Sequence, residues 1–314
     1  MKKKLILSAF ALVGFILVLQ SKVIFAANGV TDTKTTVEKT VDPINVISNA
    51  SHVANGIALR NKTSGWIPLR GVPDGSTVVK AFLYWNFSDT NATGLGSVVV
   101  FNGNRVNGIK RADSADPCWG LTGNHTYRAN VTPFIPANNP NQDYEVVINF
   151  NGIISTTGQN PWAPTESQTK RLEGATLIVV YSNASTSGKQ VRIYDALNGS
   201  EFSGSATFTL THPALSGSGL FTMCGADGQR GSGHDTHANT SNEKTTFNGT
   251  QVAGTSVAGG DWDGSTGLPL PQLWDVHTHV VTFSGTSSIV VYTAKDPNAA
   301  NLDCLVPVVF VLEK

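Results

Sequence analysis

The sequence predicts an all-β protein: two tandem antiparallel jelly-roll-like β-sandwiches related by internal duplication. Three observations carry this. Thr, Ser, Asn, Gly and Val abound while charged residues make up 14% of the chain, a composition that suits pleated strands and tight turns over helices. The segment FNGNRVNG at 101–108 returns as FNGTQVAG at 247–254 with Phe, Asn, Gly, Val and the final Gly in register. The neighbours return in the same order: KAFLYWN (80–86) and ATLIVVYSN (175–183), CWG (118–120) and DWDG (261–264), YRANVTPFI (127–135) and WDVHTHVVTF (274–283), YEVVINF (144–150) and SSIVVYTA (287–294). Similar segments in one fixed order mark a repeated supersecondary unit.

Residues 1–26 read as a secretory signal peptide. Lys2, Lys3 and Lys4 make a basic start, Leu5 to Leu19 an uncharged apolar run, and Val23 to Ala26 a cleavage region. That run is too short for a comfortable membrane span, and no later run reaches span length. Removal of the signal takes four lysines from the 22 basic residues and none of the 22 acids, leaving 18 against 22. A net charge near −4 argues against nucleic acid and anionic membrane surfaces as partners.

Residues 27–50, polar and without periodicity, read as an N-terminal arm. Residues 51–157 form the first sandwich, in which AFLYW has the bulk expected of a strand covered on both faces. The FNG segments are hairpin turns, because Asn-Gly takes the positive φ that a two-residue turn requires. A Pro- and Gly-rich stretch at 158–170 reads as the linker, and 171–314 as the second sandwich. From ATLIVVY to FNG is about 70 residues in the second unit, against about 20 from AFLYW in the first. The excess reads as an insertion at 187–240, ending in a Gly-rich polar loop, and long loops on rigid scaffolds often carry function.

The sharpest candidate chemistry is Asp275, His277 and His279 in WDVHTHVV. Period-two spacing on a strand turns all three to one face, and imidazoles with a carboxylate suit zinc, iron or manganese. His234 and His237 in the loop are candidates to complete such a site. Asp227, Asp235, Asp261, Asp263 and Asp275, near glycine turns, offer the hard oxygens that calcium prefers. The plainer reading of these residues is a solvated strand face and ordinary Asp-Gly turns. Asp227, His234, Trp262 and Trp274 are the expected ligand-binding residues, an aromatic platform with polar neighbours. The competing reading has Trp262, like Trp119, pinning its turn to the core. Cys118, Cys224 and Cys304 allow one disulfide, expected between Cys224 and Cys304 within the second unit. Nothing links a Ser nucleophile to a base, and no residue is assigned as catalytic.

The segments AFLYW, CWG, YRANVT, EGATLIVVY, GADGQ, the WD pair at 274–275 and DCLVPVVFVL resemble a family of uncharacterised exported β-sandwich domains in bacterial and archaeal surface proteins. That family usually has Asp where this chain has Asn130, which argues against an ion site there. The resemblance implies location and architecture without a settled activity. A looser resemblance, of fold alone, is to the bacterial glycoprotein deglycosylase that cleaves Asn-linked glycans, and it carries over no catalytic residue. The expectation is an exported extracellular or cell-surface protein for adhesion, assembly or ligand binding, without catalysis. Glycans or other surface proteins are its expected partners, and calcium or a transition metal its candidate ions. The alternative is a glycan-directed or metal-dependent hydrolase with its site in the second unit.

Overall fold

A computed structural model describes residues 36–60, 62–91, 96–116, 121–149, 170–197, 202, 204–228, 243–254, 260–264, 266, 273–294 and 305–314. The expected signal peptide, nearly all of the expected linker, Cys118, Trp119, His234, Asp235, His237 and Cys304 lie outside the described residues.

The first unit is a two-layer sandwich. Its inner sheet has the order β3 (Ser51–Ala58), β11 (Lys170–Ser182), β5 (Thr77–Asp89), β9 (Gly123–Asn130) and β8 (Ile109–Ser114). Its outer sheet runs β4 (Ser64–Pro68), β10 (Asp143–Val147), β6 (Val98–Phe101) and β7 (Asn104–Asn107). Between them Leu83, Trp85, Phe87 and Tyr127 meet Ile67, Phe101, Tyr144 and Val146 in one buried core. Aromatic stacking lends it geometry, with Trp85 and Tyr127 ring centroids 5.7 Å apart and Phe101 and Tyr144 5.6 Å apart.

The second unit makes its sandwich from one sheet. The order is β15 (Thr250–Gly254), β14 (Lys244–Phe247), β16 (Trp274–Thr293), β13 (Ser205–Ala226), β17 (Val306–Glu313), β12 (Gln190–Asp195) and β2 (Asn45–Ser48), with β1 (Thr36–Val41) joined parallel to β13. The long strands β13 and β16 carry the chain from one layer to the other. The first part of β13 pairs with the end of β16, and after a bulge between Thr211 and Leu215 its remainder pairs with the start of β16 and with β17. Rings from the two layers then pack at a tilt, Phe208 with Phe310 at 4.9 Å and Phe221 with Phe247 at 5.2 Å.

Proline explains why the first unit has separate strands where the second has continuous ones. Pro73 lies between β4 and β5, and Pro133, Pro136 and Pro140 lie between β9 and β10. A proline has no N–H for the ladder and ends the pairing there. The second unit has Pro213 inside its bulge and Gly285, at φ 77°, at the bend of β16, so its strands bend without breaking.

The duplication is plainest at the hairpins. Asn102 and Gly103 sit at φ 47° and 76°, and Asn248 and Gly249 at φ 48° and 79°, the signs of a type I′ turn. The Asn102 amide donates to the Glu145 carbonyl and the Asn248 amide to the Ile289 carbonyl, each at 2.8 Å. Counting outward by pairing partner, β3, β4 and β5 correspond to β12 and the two parts of β13. Likewise β9, β10 and β11 correspond to the two parts of β16 and to β17.

This register corrects the sequence reading at three places. ATLIVVY belongs to β11, which pairs with β3 and β5 and is the last strand of the first unit. The strand that corresponds to the one carrying AFLYW is the second part of β13, so the residues read as an insertion include β12 and β13, which have counterparts in the first unit. Part of the expected arm, 36–41 and 45–48, is woven into the second unit as β1 and β2. The first two share a cause, since an apolar run buried on both faces has no alternation to say which unit it serves, whereas the third involves short polar strands whose partners lie more than a hundred residues away.

The two units pack back to back. Phe82, Tyr84, Ile178 and Val180 of the first face Val191, Ile193, Cys224, Trp274, Val308 and Val309 of the second in a further buried core. That contact covers the outer faces of β11 and the second half of β5, and buries every residue of β17. Polar clamps seal its margins. Asp195 accepts from Tyr84 at 2.6 Å, from Arg128 at 3.0 Å and from Arg111. Glu313 accepts from Ser51 at 2.8 Å and pairs with His52 at 2.9 Å.

Candidate metal centre

Alternation along the start of β16 sends Trp274 and Val276 to the interface between units and turns Asp275, His277 and His279 to the opposite face. The DWDG turn at 261–264 lies across that face. It makes three successive contacts: Gly264 N donates to Asp275 Oδ2 at 3.1 Å, Asp263 Oδ1 lies 3.9 Å from His277 Nε2, and Asp261 Oδ1 is 2.6 Å from His279 Nε2.

Trp262 holds the turn down. It is fully buried, edge-on to Tyr292 at 5.1 Å, and its indole lies over Gly225. Gly225 is the β13 residue directly opposite Asp275, and a Cβ there would stand 2.3 Å from the indole. Gly228 has a similar constraint, since its Cβ would fall 2.6 Å from Asp275 Oδ2. The two glycines of GADG are therefore places where the turn and a carboxylate approach the backbone closely.

Asp263, Asp275 and His277 bring one ligand atom each to within 4.8 Å of one another. Burial pushes the Asp275 carboxyl up to about 7, and the His277 side chain and the Gly264 amide only partly offset it. Burial also works against the His277 imidazolium. Asp275, Asp261 and Asp263 together outweigh that and lift it to about 9. The His277 side chain keeps 25% exposure, which leaves the cluster a way in from solvent. One imidazole and two carboxylates suit zinc, manganese or iron, whereas calcium takes six to eight oxygens.

Of the three residues expected to share a metal, Asp275 and His277 are together and His279 pairs with Asp261 beside them. Asp263 takes the third place, and its sequence signal was the DWDG turn itself. Asp227, expected to bind ligand, turns away to a buried cluster where Arg60 Nη2 lies 3.2 Å from its Oδ1 and also pairs with Glu173. Burial pushes Glu173 up to about 8, more than Arg60 draws it down. That cluster joins residues far apart in the chain, so no spacing announces it.

Trp262 and Trp274 correct the expectation of an aromatic platform, because both are fully buried. Trp274 Nε1 donates to Thr176 at 3.0 Å, and its ring packs on Gly56 and Gly174 of the first unit. The expected Cys224–Cys304 disulfide falls on Cys304, which lies outside the described residues. Cys224 is a free thiol among the interface side chains, pushed up to about 12 by burial.

No curated protein sequence matches the chain. Several solved structures are similar to it. PNGase F, a glycosylasparaginase from Flavobacterium meningosepticum, is 12% identical, with 85% of this chain and 96% of that one covered at a TM-score of 0.27. The ANXUR2 extracellular domain from Arabidopsis thaliana is 8% identical, with 87% and 89% covered at 0.30. Tandem CBM51 modules of a family 98 glycoside hydrolase from Streptococcus pneumoniae are 9% identical, with 82% and 83% covered at 0.22. Likeness at these values carries nothing about function. A family model described as protein of unknown function (DUF3344) matches residues 49–306, most of both sandwiches and the cluster between DWDG and β16, and the chain belongs to that family.

Proposed function

We propose that this is an exported, extracellular or cell-surface module that acts by binding, and that Asp263, Asp275 and His277 hold a divalent transition-metal ion. The convergence of three donor atoms from a turn and a strand within 4.8 Å carries this reading. The turn is fixed by Trp262 and the strand by its ladder, so the donors are held before an ion arrives, which lowers the cost of ordering them. A bound cation balances the two carboxylates and replaces the proton on His277. It thereby ties the DWDG turn to β16 and orders the surface beside it for a glycan or protein partner.

The test is zinc and manganese titration of the protein lacking residues 1–26, followed by calorimetry and, for manganese, by paramagnetic resonance. One site per chain is expected. Asp263→Asn combined with His277→Gln should weaken zinc by more than about 100-fold, since loss of even an outer partner of a ligand costs about 10–100-fold. The circular dichroism should not change. Zinc affinity should also rise with pH between about 7 and 9 as the proton on His277 becomes easier to displace. Unchanged zinc binding in the double variant would overturn the assignment.

A second reading is favoured by the ligand count. Three protein ligands leave a coordination position for water, the arrangement of hydrolytic zinc sites rather than of closed structural ones. Zinc-dependent release of sugar from a glycoprotein, lost in the same double variant, would favour the hydrolase over the binding module.

A further inference from the structure

A cavity of about 340 Å³ opens at the end of the second unit away from the metal cluster. It is lined by Ser48 and Asn49 at the end of β2, Gly188, Lys189, Gln190 and Arg192 entering β12, Leu215 at the bulge of β13, and Lys314 after β17. Its rim is built, not frayed. Asn49 and Gly188 both take positive φ, at 53° and 77°. Asn49 Oδ1 accepts from Gly188 N at 2.9 Å and Asn49 N donates to the Lys189 carbonyl at 2.7 Å. The ladder between β12 and Lys314 closes the other side through Gln190 N and the Lys314 carbonyl at 2.7 Å.

The charge of this cavity is one-sided. Lys189, Arg192 and Lys314 line it, and no acidic side chain among the described residues does. The lysines reach outward: Lys189 Nζ lies 3.2 Å from Glu313 Oε1 and Lys314 Nζ donates to the Ser218 carbonyl at 2.8 Å. Arg192 is 2% exposed and forms the floor. Its Nη2 donates to the Gln190 side chain, while Nε and Nη1 have no hydrogen-bond partner among the described residues. No carboxylate pairs with it there. A buried guanidinium with unmatched donors and no counter-charge is costly, and nature ordinarily supplies one.

We propose that the cavity binds an oxyanion, a sulfate or phosphate group, with Arg192 beneath it and Lys189 and Lys314 at its sides. Arginine and lysine are the side chains that recognise such groups, the first by its planar donors and the second as a point charge. The cavity's volume falls in the range of small-molecule sites and exceeds what a bare oxyanion fills. The group is therefore carried on a moiety about the size of one sugar. Asn49, Ser48 and Gln190 are the polar side chains placed to meet its hydroxyls. The site is independent of the metal cluster and stands whether or not that cluster holds an ion.

The experiment is calorimetry and thermal unfolding at constant ionic strength with four probes: inorganic sulfate, inorganic phosphate, glucose 6-sulfate and glucose 6-phosphate. All four should bind and raise Tm, with the esters tighter than the inorganic ions by about tenfold or more, 1.4 kcal/mol. Lys189→Gln with Lys314→Gln should weaken each by about tenfold or more, read against the double variant's own ligand-free Tm because Lys189 also pairs with Glu313. Arg192→Gln should abolish binding, and if that variant does not fold, the double lysine variant decides. Esters no tighter than inorganic ions would overturn the sugar-sized carrier and leave the oxyanion site. Equal effects of chloride, or unchanged affinity in the double lysine variant, would overturn the site itself.

Discussion

Asp275 and Gly225 face each other across β13 and β16, and the pair shows how a single residue sets up the cluster. The missing side chain at Gly225 makes room for the Trp262 indole, the indole fixes the DWDG turn, and the turn presents Asp263 to His277. Gly225→Ala must displace that ring. We expect it to cost about 1–3 kcal/mol in urea denaturation, the range for overpacking a tight core, and to loosen zinc binding with it. Asp275 and His277 were legible because period two on a strand is a reliable rule. The burial of Trp262 and Trp274 was not, because a Trp beside a turn reads the same whether its ring points into the core or out to solvent. Cys224 shows the same limit: three cysteines allow a disulfide on paper, but only packing decides that this thiol faces Trp274 and Thr176.

The hairpins are the elements most fully written in the sequence. Asn-Gly at 102–103 and 248–249 predicts the turn, and the turns agree within a few degrees of φ at each position. Because neither Gly103 nor Gly249 has a neighbour within 4 Å of its would-be Cβ, substitution there tests backbone strain alone. Gly103→Ala and Gly249→Ala should each cost about 1 kcal/mol, and the two should add, since they lie in separate sandwiches. Markedly unequal costs would mean the two turns are not equivalent. The strands buried on both faces were the least legible. In β11 and β17 apolar residues fill both faces, so the pattern that sets register in a half-exposed strand is absent. Their correspondence emerges only from which neighbours they pair with.

At the scale of the molecule, the interface makes the two sandwiches one body. Asp195, on β12 and 1% exposed, gathers Tyr84, Arg111 and Arg128 from the first unit. Asp195→Ala strands two guanidinium groups and should cost about 3 kcal/mol, the lower end for breaking a buried pair because the arginines are partly hydrated. If the units are coupled as packed, calorimetry of the wild type shows one transition and this variant broadens or splits it. Glu313 gives the interface an acid limit. Burial alone would raise its carboxyl, but His52, Ser51 and Lys189 outweigh it and hold it at about 2. A carboxyl depressed in the folded state stabilises above its ordinary value, and that contribution is lost as pH falls through the folded one. Tm should therefore drop between about pH 4.5 and 2, and Glu313→Gln should flatten that part of the profile.

The path of the chain through this body has a consequence for its birth. β1 and β2 are made first, yet their partners are β13 and β12, made after the whole first sandwich. On a ribosome or in a translocation channel the two opening strands emerge without mates. More than a hundred residues, the whole of the first sandwich, separate them from those partners. The first unit is thus a guest inside the second. All of its strands are available before its host's are complete, and its inner sheet is the surface against which the host packs.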